Sequence, residues 1–349
     1  MFPSTFPVPD NLRAFLKAVH TQPDDDAPRL ILADWLDEHA HSRNGYAARA
    51  EFIRVQCRLA SQLLTPEQRL VLESHASTLV RRHRQDWEEP WRQLGARELL
   101  WSRGFPEAAT LSGPQAVTAA AELLRWCPLR TLTLTHCPNA AALAMYPELQ
   151  TLTALELGWN QLGDAAVAEL AGSPHVQNLA RLGLEANDLD PTAAVALAEQ
   201  SHLGKLRSLG LDWNPLGDEG IVALAHAAIL RRLRHLTLHC CQAGSEATQA
   251  LATAGPLLTH LDLGANAIDS KGAQALAASP HMRELTQLDL HWNGIGEEGG
   301  RALLLSLRQG PMRRLLALEL FANRMSPELL AEIGREMAAR RQQKDAPGG

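Results

Sequence analysis

No stretch of the 349 residues approaches the roughly 18 uninterrupted apolar residues that a membrane-spanning helix requires. The opening MFPSTFPVPDN has neither a basic flank nor an apolar run of the kind an export signal needs, so a cytoplasmic location is expected. Cysteine is sparse. Cys57, Cys127, Cys137, Cys240 and Cys241 are odd in number and lack C-x-x-C spacing, which argues against a disulfide framework or a zinc ribbon and suits a reducing compartment. A surplus of positive charge is also missing. Through residue 100 there are 13 basic and 14 acidic residues, and beyond it 20 and 25, so neither part has the basic excess of a general phosphate binder. Nucleic acid and membrane are therefore not expected as partners.

The chain is longer than one ordinary domain of ~100–200 residues, which leaves either several domains or one repeat array. Self-similarity decides for the array. LTALELGWNQL at 152–162 recurs as LARLGLEANDL from 179, LRSLGLDWNPL from 206, LTHLDLGANAI from 258, LTQLDLHWNGI from 285 and LLALELFANRM from 315. Two further copies, LRTLTLTHCPN from 129 and LRHLTLHCCQA from 233, carry cysteine at the ninth position. Those ninth positions are Cys137, Asn160, Asn187, Asn214, Cys241, Asn266, Asn293 and Asn323. The alternating L-x-L puts leucines on one face of a short strand, and the Asn amide can bond backbone where the chain turns away. Helical segments such as GDAAVAELAG and DPTAAVALAE follow, with Asp190 before Pro191 and Ser326 before Pro327 suited to capping. Parallel strands are expected to centre on Leu132, Leu155, Leu182, Leu209, Leu236, Leu261, Leu288 and Leu318, all eight buried. The 23-residue spacing between the first two copies leaves room only for a shortened helix.

Eight copies of LxxLxLxx(N/C)xL over residues 129 to about 335 resemble the ribonuclease-inhibitor-like subclass of leucine-rich repeats. The fold class this implies is an α/β solenoid, with a parallel inner sheet and outer helices, preceded by a small all-α domain. Four helices are expected in the first hundred residues: from DNLRAFLKAVH, through APRLILADWLDEH, through AARAEFIRVQCRLASQL, and from Pro66 to Trp87, with HSRNGYA as a loop. PDDDAPRLILADWLDEH followed by RAEFIRVQCRLA resembles the bacterial repeat-companion domain, carried by Asp25, Arg29, Leu30, Asp34, Trp35, Leu36, Glu51, Phe52, Ile53 and Gln56. Arg29 is expected to pair with Glu51 across two helices. The domain division is thus 1–97 helical module, 98–128 lead-in strand (98–111) and capping helix (114–126), 129–335 repeat array, and 336–349 loose tail.

With the leucines at positions 4 and 6 facing the core, positions 3, 5 and 7 face the concave side, and position 8 stands at its rim. Those inner rows hold six acids, Glu156, Glu185, Asp212, Asp262, Asp289 and Glu319, against one base, Arg181. Asp262, Asp289 and Glu319 share one row on successive strands, where like charges cost stability and a cationic partner relieves them. The rim carries Trp159, Trp213 and Trp292, and position 7 of the last copy is Phe321. Large flat side chains of this kind anchor interfaces, although they can equally cover a turn. His235, His239, His260 and His291 gather near Asp262 and Asp289, which raises a second reading as a metal-dependent hydrolase; a scaffold role is a third. No Ser/His/Asp order, phosphate loop or nucleotide fingerprint accompanies them. The expected function is therefore recognition without catalysis or cofactor. A basic protein partner is held by Glu156, Trp159, Glu185, Asp212, Trp213, His239, Asp262, Asp289, His291, Trp292, Glu319 and Phe321.

Overall fold

A computed structural model describes residues 10–41, 45–93, 95–254 and 257–345. The loop expected over HSRNGYA lies partly, and residues 346–349 lie wholly, outside them. Two compact units emerge, Met1–Ala154 and Leu155–Gly349.

In the first unit, helices α1 (Asp10–Thr21), α2 (Ala27–Glu38), α3 (Tyr46–Ala60) and α4 (Pro66–Trp87) form the expected all-α module, followed by the short α5 (Glu89–Gln93). Helix α4 starts where a reciprocal cap holds it: Gln68 N–H donates to Thr65 Oγ1 (3.3 Å) and Thr65 N–H to Gln68 Oε1 (3.1 Å). The module's core comprises Leu12, Leu16, Val19, Leu32, Leu36, Ala50, Ile53 and Phe105. The lead-in segment is a hairpin rather than one strand. Strands β1 (Ala96–Ser102) and β2 (Phe105–Ser112) pair antiparallel, and the Ser102–Phe105 pairing leaves Arg103 and Gly104 as a two-residue turn. Both have positive φ, 47° and 82°, the primed geometry whose twist matches the strands. Strand β2 then pairs parallel with β3 (Thr131–Thr135), so the hairpin covers the first repeat's strand; α6 (Ala116–Trp126) lies between them in sequence. In place of a full helix the first repeat has two 3-10 segments, Ala140–Met145 and Pro147–Thr151, as its short spacing requires.

Two buried arginines tie this unit together, and Arg29 does not pair with Glu51 as the sequence led us to expect. Arg29 is fully buried; it donates to the Asp25 carbonyl (3.0 Å) and lies 3.6 Å from Glu107 on β2, while Glu51 pairs with His75 (3.0 Å). Burial lowers the Arg29 pKa. Arg49 donates to the Gly104 carbonyl (2.6 Å), and its guanidinium lies over Trp101 (4.6 Å) and Trp87 (4.9 Å). Desolvation, with no carboxylate paired to it among the described residues, pushes its pKa down to about 9. The rings substitute for water around the cation.

The second unit alternates strand and helix. Strands β4 (Ala154–Glu156), β5 (Arg181–Gly183), β6 (Ser208–Gly210), β7 (His235–Thr237), β8 (His260–Asp262), β9 (Gln287–Asp289) and β10 (Ala317–Glu319) follow in order. The pairs from β5 to β10 are parallel, with each central leucine opposite the next. Leu157 N–H donating to the Gly183 carbonyl (2.9 Å) carries β4 onto β5. Helices α7 (Gly163–Gly172), α8 (Pro191–Glu199), α9 (Gly217–His226), α10 (Ser245–Ala254), α11 (Ser270–Ala278), α12 (Glu297–Arg308) and α13 (Pro327–Asp345) each pack on the next. The Asp190 carboxylate caps α8 by accepting from Thr192 N–H (2.6 Å), and Ser326 Oγ accepts from Leu329 N–H (3.3 Å) in α13. Helix α13 runs to Asp345, so residues 336–345 are helical rather than a loose tail. Of the eight central leucines seven are buried. Leu318 is only partly so, because no described strand stacks beyond β10.

The ninth-position amides join the repeats. Asn187 Nδ2 donates to the Leu157 carbonyl of the preceding repeat (2.9 Å), while its Oδ1 accepts from Asn160 N–H (3.1 Å) and Leu162 N–H (3.3 Å). Asn214 repeats the pattern toward Leu184, Asn187 and Leu189. Cys241 supplies only part of it: Sγ donates to the Leu211 carbonyl (3.2 Å), and Leu216 N–H turns to the Asn214 carbonyl (2.7 Å).

Two stability measurements follow from this packing. Asn187→Ala is expected to cost about 1–3 kcal/mol in thermal or denaturant unfolding, since it strands buried backbone groups, against nearly nothing for the exposed Gln249→Ala. Equal stabilities for the two variants contradict the ladder's role. Gly104→Ala and Gly113→Ala share a positive φ, but a Cβ at Gly104 overlaps Ile53 (Cα at 2.8 Å) whereas Gly113 faces open space. The first should therefore cost roughly 1–3 kcal/mol more, the usual cost of overpacking.

Candidate functional site

On each strand of the second unit the residues at positions 4 and 6 turn into the core and those at 3, 5 and 7 stand on the sheet's open face. Leu155 and Leu157, for instance, are buried while Glu156 between them is not. The open face divides into two clusters. In the earlier repeats Glu156 pairs with Arg181 (2.6 Å), and Glu185 lies between Glu156 and Asp212. Glycines make room for them: a Cβ at Gly183 overlaps the Glu156 carboxylate, and one at Gly210 overlaps that of Glu185. Asp212 is held by the backbone, its Oδ1 accepting from His239 N–H (2.8 Å). Burial raises the Glu185 pKa above the ordinary carboxylate range, and the neighbouring Glu156 and Asp212 charges raise it further. Burial likewise raises Glu156, against the opposing pull of Arg181.

The later repeats hold the second cluster. Asp262, Asp289 and Glu319 are register partners on β8, β9 and β10, the row expected from the sequence. Asp262 Oδ1 accepts from Gly264 N–H (2.8 Å); Asp289 Oδ1 accepts from His291 N–H (2.9 Å) and contacts His291 Nδ1 (2.5 Å). His239 Nδ1 lies 3.9 Å from Asp262 Oδ1. Burial, then the Asp289 charge, pushes the Asp262 pKa up. Beside this row runs a series of rings: Trp213 to His239 at 5.2 Å between centroids, His239 to His291 at 5.1 Å, and His291 to Phe321 at 4.6 Å. His235 and His260 form a separate stacked pair at 4.1 Å. Among the described residues no three or more His, Cys, Asp or Glu side chains come together in a metal-holding arrangement. Cys241 is buried, which pushes its thiol up to about 12.

The rim residues have an unforeseen backbone. Position 8 is left-handed in every repeat, at His136, Trp159, Ala186, Trp213, Cys240, Ala265, Trp292 and Ala322, with φ between 50° and 64°. This turns the ninth-position amide back toward the preceding repeat. For residues other than glycine such a conformation costs of order 1–3 kcal/mol. Trp159, Trp213 and Trp292 nevertheless occupy it while 68%, 52% and 63% exposed, so they are not folded into the core; Phe321 is 53% exposed. Sequence reasoning named twelve candidate residues on this face and its rim, but not the contacts among them. The signal it missed was glycine at positions 5 and 7, at Gly158, Gly183, Gly210 and Gly264, beside long side chains one repeat away.

The profile described as "Leucine Rich repeat" matches residues 148–171, 203–225, 256–277 and 281–304, and the chain accordingly carries leucine-rich repeats. Comparison with curated proteins gives no match. Among solved structures, the chain is similar to an internalin of Listeria monocytogenes, with 22% identity, 65% of this chain, 56% of that one and a TM-score of 0.43. It is also similar to a leucine-rich-repeat protein of Leptospira interrogans, with 20% identity, 62% and 60% of the two chains and a TM-score of 0.35. A third similarity is to the leucine-rich repeat domain of the type III effector XopL, with 15% identity, 95% and 100% of the chains and a TM-score of 0.33. Thus the chain spans less than two thirds of the length of the first two.

The raised carboxylates give a testable sign. A carboxyl whose folded pKa lies above its unfolded value takes up protons on folding, so its stability penalty is complete at neutral pH and fades as pH falls through that interval. Glu185→Gln should therefore raise the melting temperature at pH 7. The difference from the parent should vanish by the bottom of the carboxylate range. A lower melting temperature for the variant at pH 7 contradicts the burial argument.

Proposed function

We propose that the chain is a non-catalytic recognition protein of the cytoplasm whose repeat array binds a basic protein partner on the open sheet face. Leucine-rich-repeat proteins generally act as protein-interaction modules. One observation carries the finer reading: three tryptophans stand exposed in strained backbone at the edge of a face with six acids and one arginine. The backbone strain is shared with alanines at the same position, but the exposed apolar area of the tryptophans works against stability, and contact with a partner is the role that accounts for it. The acidic rows favour a cationic partner over nucleic acid or an anionic membrane surface. Strand-plus-helix units support the ribonuclease-inhibitor-like subclass, with residues 129–335 as the recognition array. We read the four-helix part as a bacterial repeat-companion module, and the hairpin and α6 as the cap between module and array.

The test is affinity capture with the full chain beside two variants, Asp262→Lys with Asp289→Lys, and Trp213→Gly with Trp292→Gly. The parent should retain a basic protein that salt elutes. With that protein purified, the charge reversal should slow association about tenfold, while loss of the tryptophans should mainly speed dissociation. Trp292→Gly alone should not lower the melting temperature, because glycine relieves the backbone strain. A retained protein indifferent to salt and to both double variants rules the reading out.

A further inference from the structure

The series of rings beside the acidic row has a geometry that general electrostatic attraction does not require. His239 and His291 belong to repeats two apart, so their strands lie roughly 9–10 Å from one another. Their centroids are nevertheless only 5.1 Å apart, since both rings lean over the intervening Gly264. A Cβ at Gly264 would stand 2.5 Å from His291 Cε1 and 2.8 Å from His239 Nδ1, so any other residue there opens the stack. Trp213 extends the series at one end and Phe321 at the other, both more than half exposed. Alongside, Asp262 and Asp289 each use Oδ1 toward the backbone, and the described residues give neither Oδ2 a hydrogen bond.

We propose that the strip from Trp213 to Phe321 is an arginine-selective subsite, a deepening that rests on the basic-partner reading above. Guanidinium groups of a partner segment stack on the rings of Trp213 and Phe321 at its ends while donating to the outward oxygens of Asp262 and Asp289. A guanidinium is planar, weakly hydrated and able to donate in parallel pairs to a carboxylate, so it can satisfy ring and acid together. An ammonium is a strongly hydrated point charge and gains little from the flat surface. Both cations feel the same acidic face, so only the ring geometry separates them.

The experiment titrates two synthetic peptides of equal length and charge into the full chain by calorimetry, one alternating alanine with arginine and the other alanine with lysine. The arginine peptide should bind about tenfold more tightly, the ratio expected when stacking on desolvated rings adds to a common charge attraction. Gly264→Ala, with its melting temperature checked, should abolish that preference by opening the stack. Phe321→Leu, which keeps an apolar side chain at an exposed position, should reduce it without altering lysine-peptide affinity. Equal affinities overturn the arginine subsite and leave the acidic-face reading standing, whereas failure of both peptides to bind overturns both. A preference that survives in both variants also overturns the proposal, since the selectivity then lies elsewhere.

Discussion

The structure of the array depends on the side-chain amide that six of its eight repeats carry at the ninth position. Leucines bury readily in many arrangements, but the ninth-position Asn fixes how each strand leaves the sheet. Asn214 donates to the Leu184 carbonyl of the repeat before it and accepts from Asn187 and Leu189 N–H. Buried backbone groups need a hydrogen-bond partner, and at this point the amide supplies it. The left-handed backbone at position 8 is a consequence: the chain must reverse its direction of twist immediately before the amide to aim it backwards. Because that turn lies at the sheet's edge, whatever residue bears the strain also stands where a visitor to the open face meets it.

The glycines on the open face belong to the same economy of space. A strand of three residues leaves few positions for long side chains, and neighbouring strands are separated by less than the width of an imidazole pair. Gly183 and Gly210 let Glu156 and Glu185 lie across the adjacent repeat, and Gly264 lets two histidines meet over it. Acidity and aromaticity are therefore arranged along the array rather than confined to single repeats. Burial of these carboxylates makes the face less stable alone than a neutral one, so any occupant that desolvates them must also supply charge.

Much of this was legible in the sequence because repetition averages out local ambiguity. Eight aligned copies fix register, and register alone puts Asp262, Asp289 and Glu319 in one row. Features that occur once were harder to read. The Arg103–Gly104 turn converted an anticipated single strand into a hairpin, since arginine gives no hint that it will adopt a positive φ. Arg29 was expected to pair with Glu51 across two helices; in fact it is fully buried and lies 3.6 Å from Glu107 on β2. Burial of Leu318 failed because periodicity says nothing of where stacking stops. Ring contacts between Trp213, His239, His291 and Phe321 depend on what a glycine omits, which no pattern of side chains records.

Cys241 gives the ladder an uneven strength. A thiol donates to the Leu211 carbonyl but is a poor acceptor, and Leu216 N–H, which an Asn at this position would serve, bonds within its own turn instead. An array of repeats behaves as a chain of nearest-neighbour couplings, and this coupling lacks a bond that its neighbours have. The array is consequently less tightly coupled between the fourth and fifth of its eight repeats. Trp213 stands on one side of that junction and His239 on the other, so a molecule resting on both would splice the two halves and make the array unfold as one.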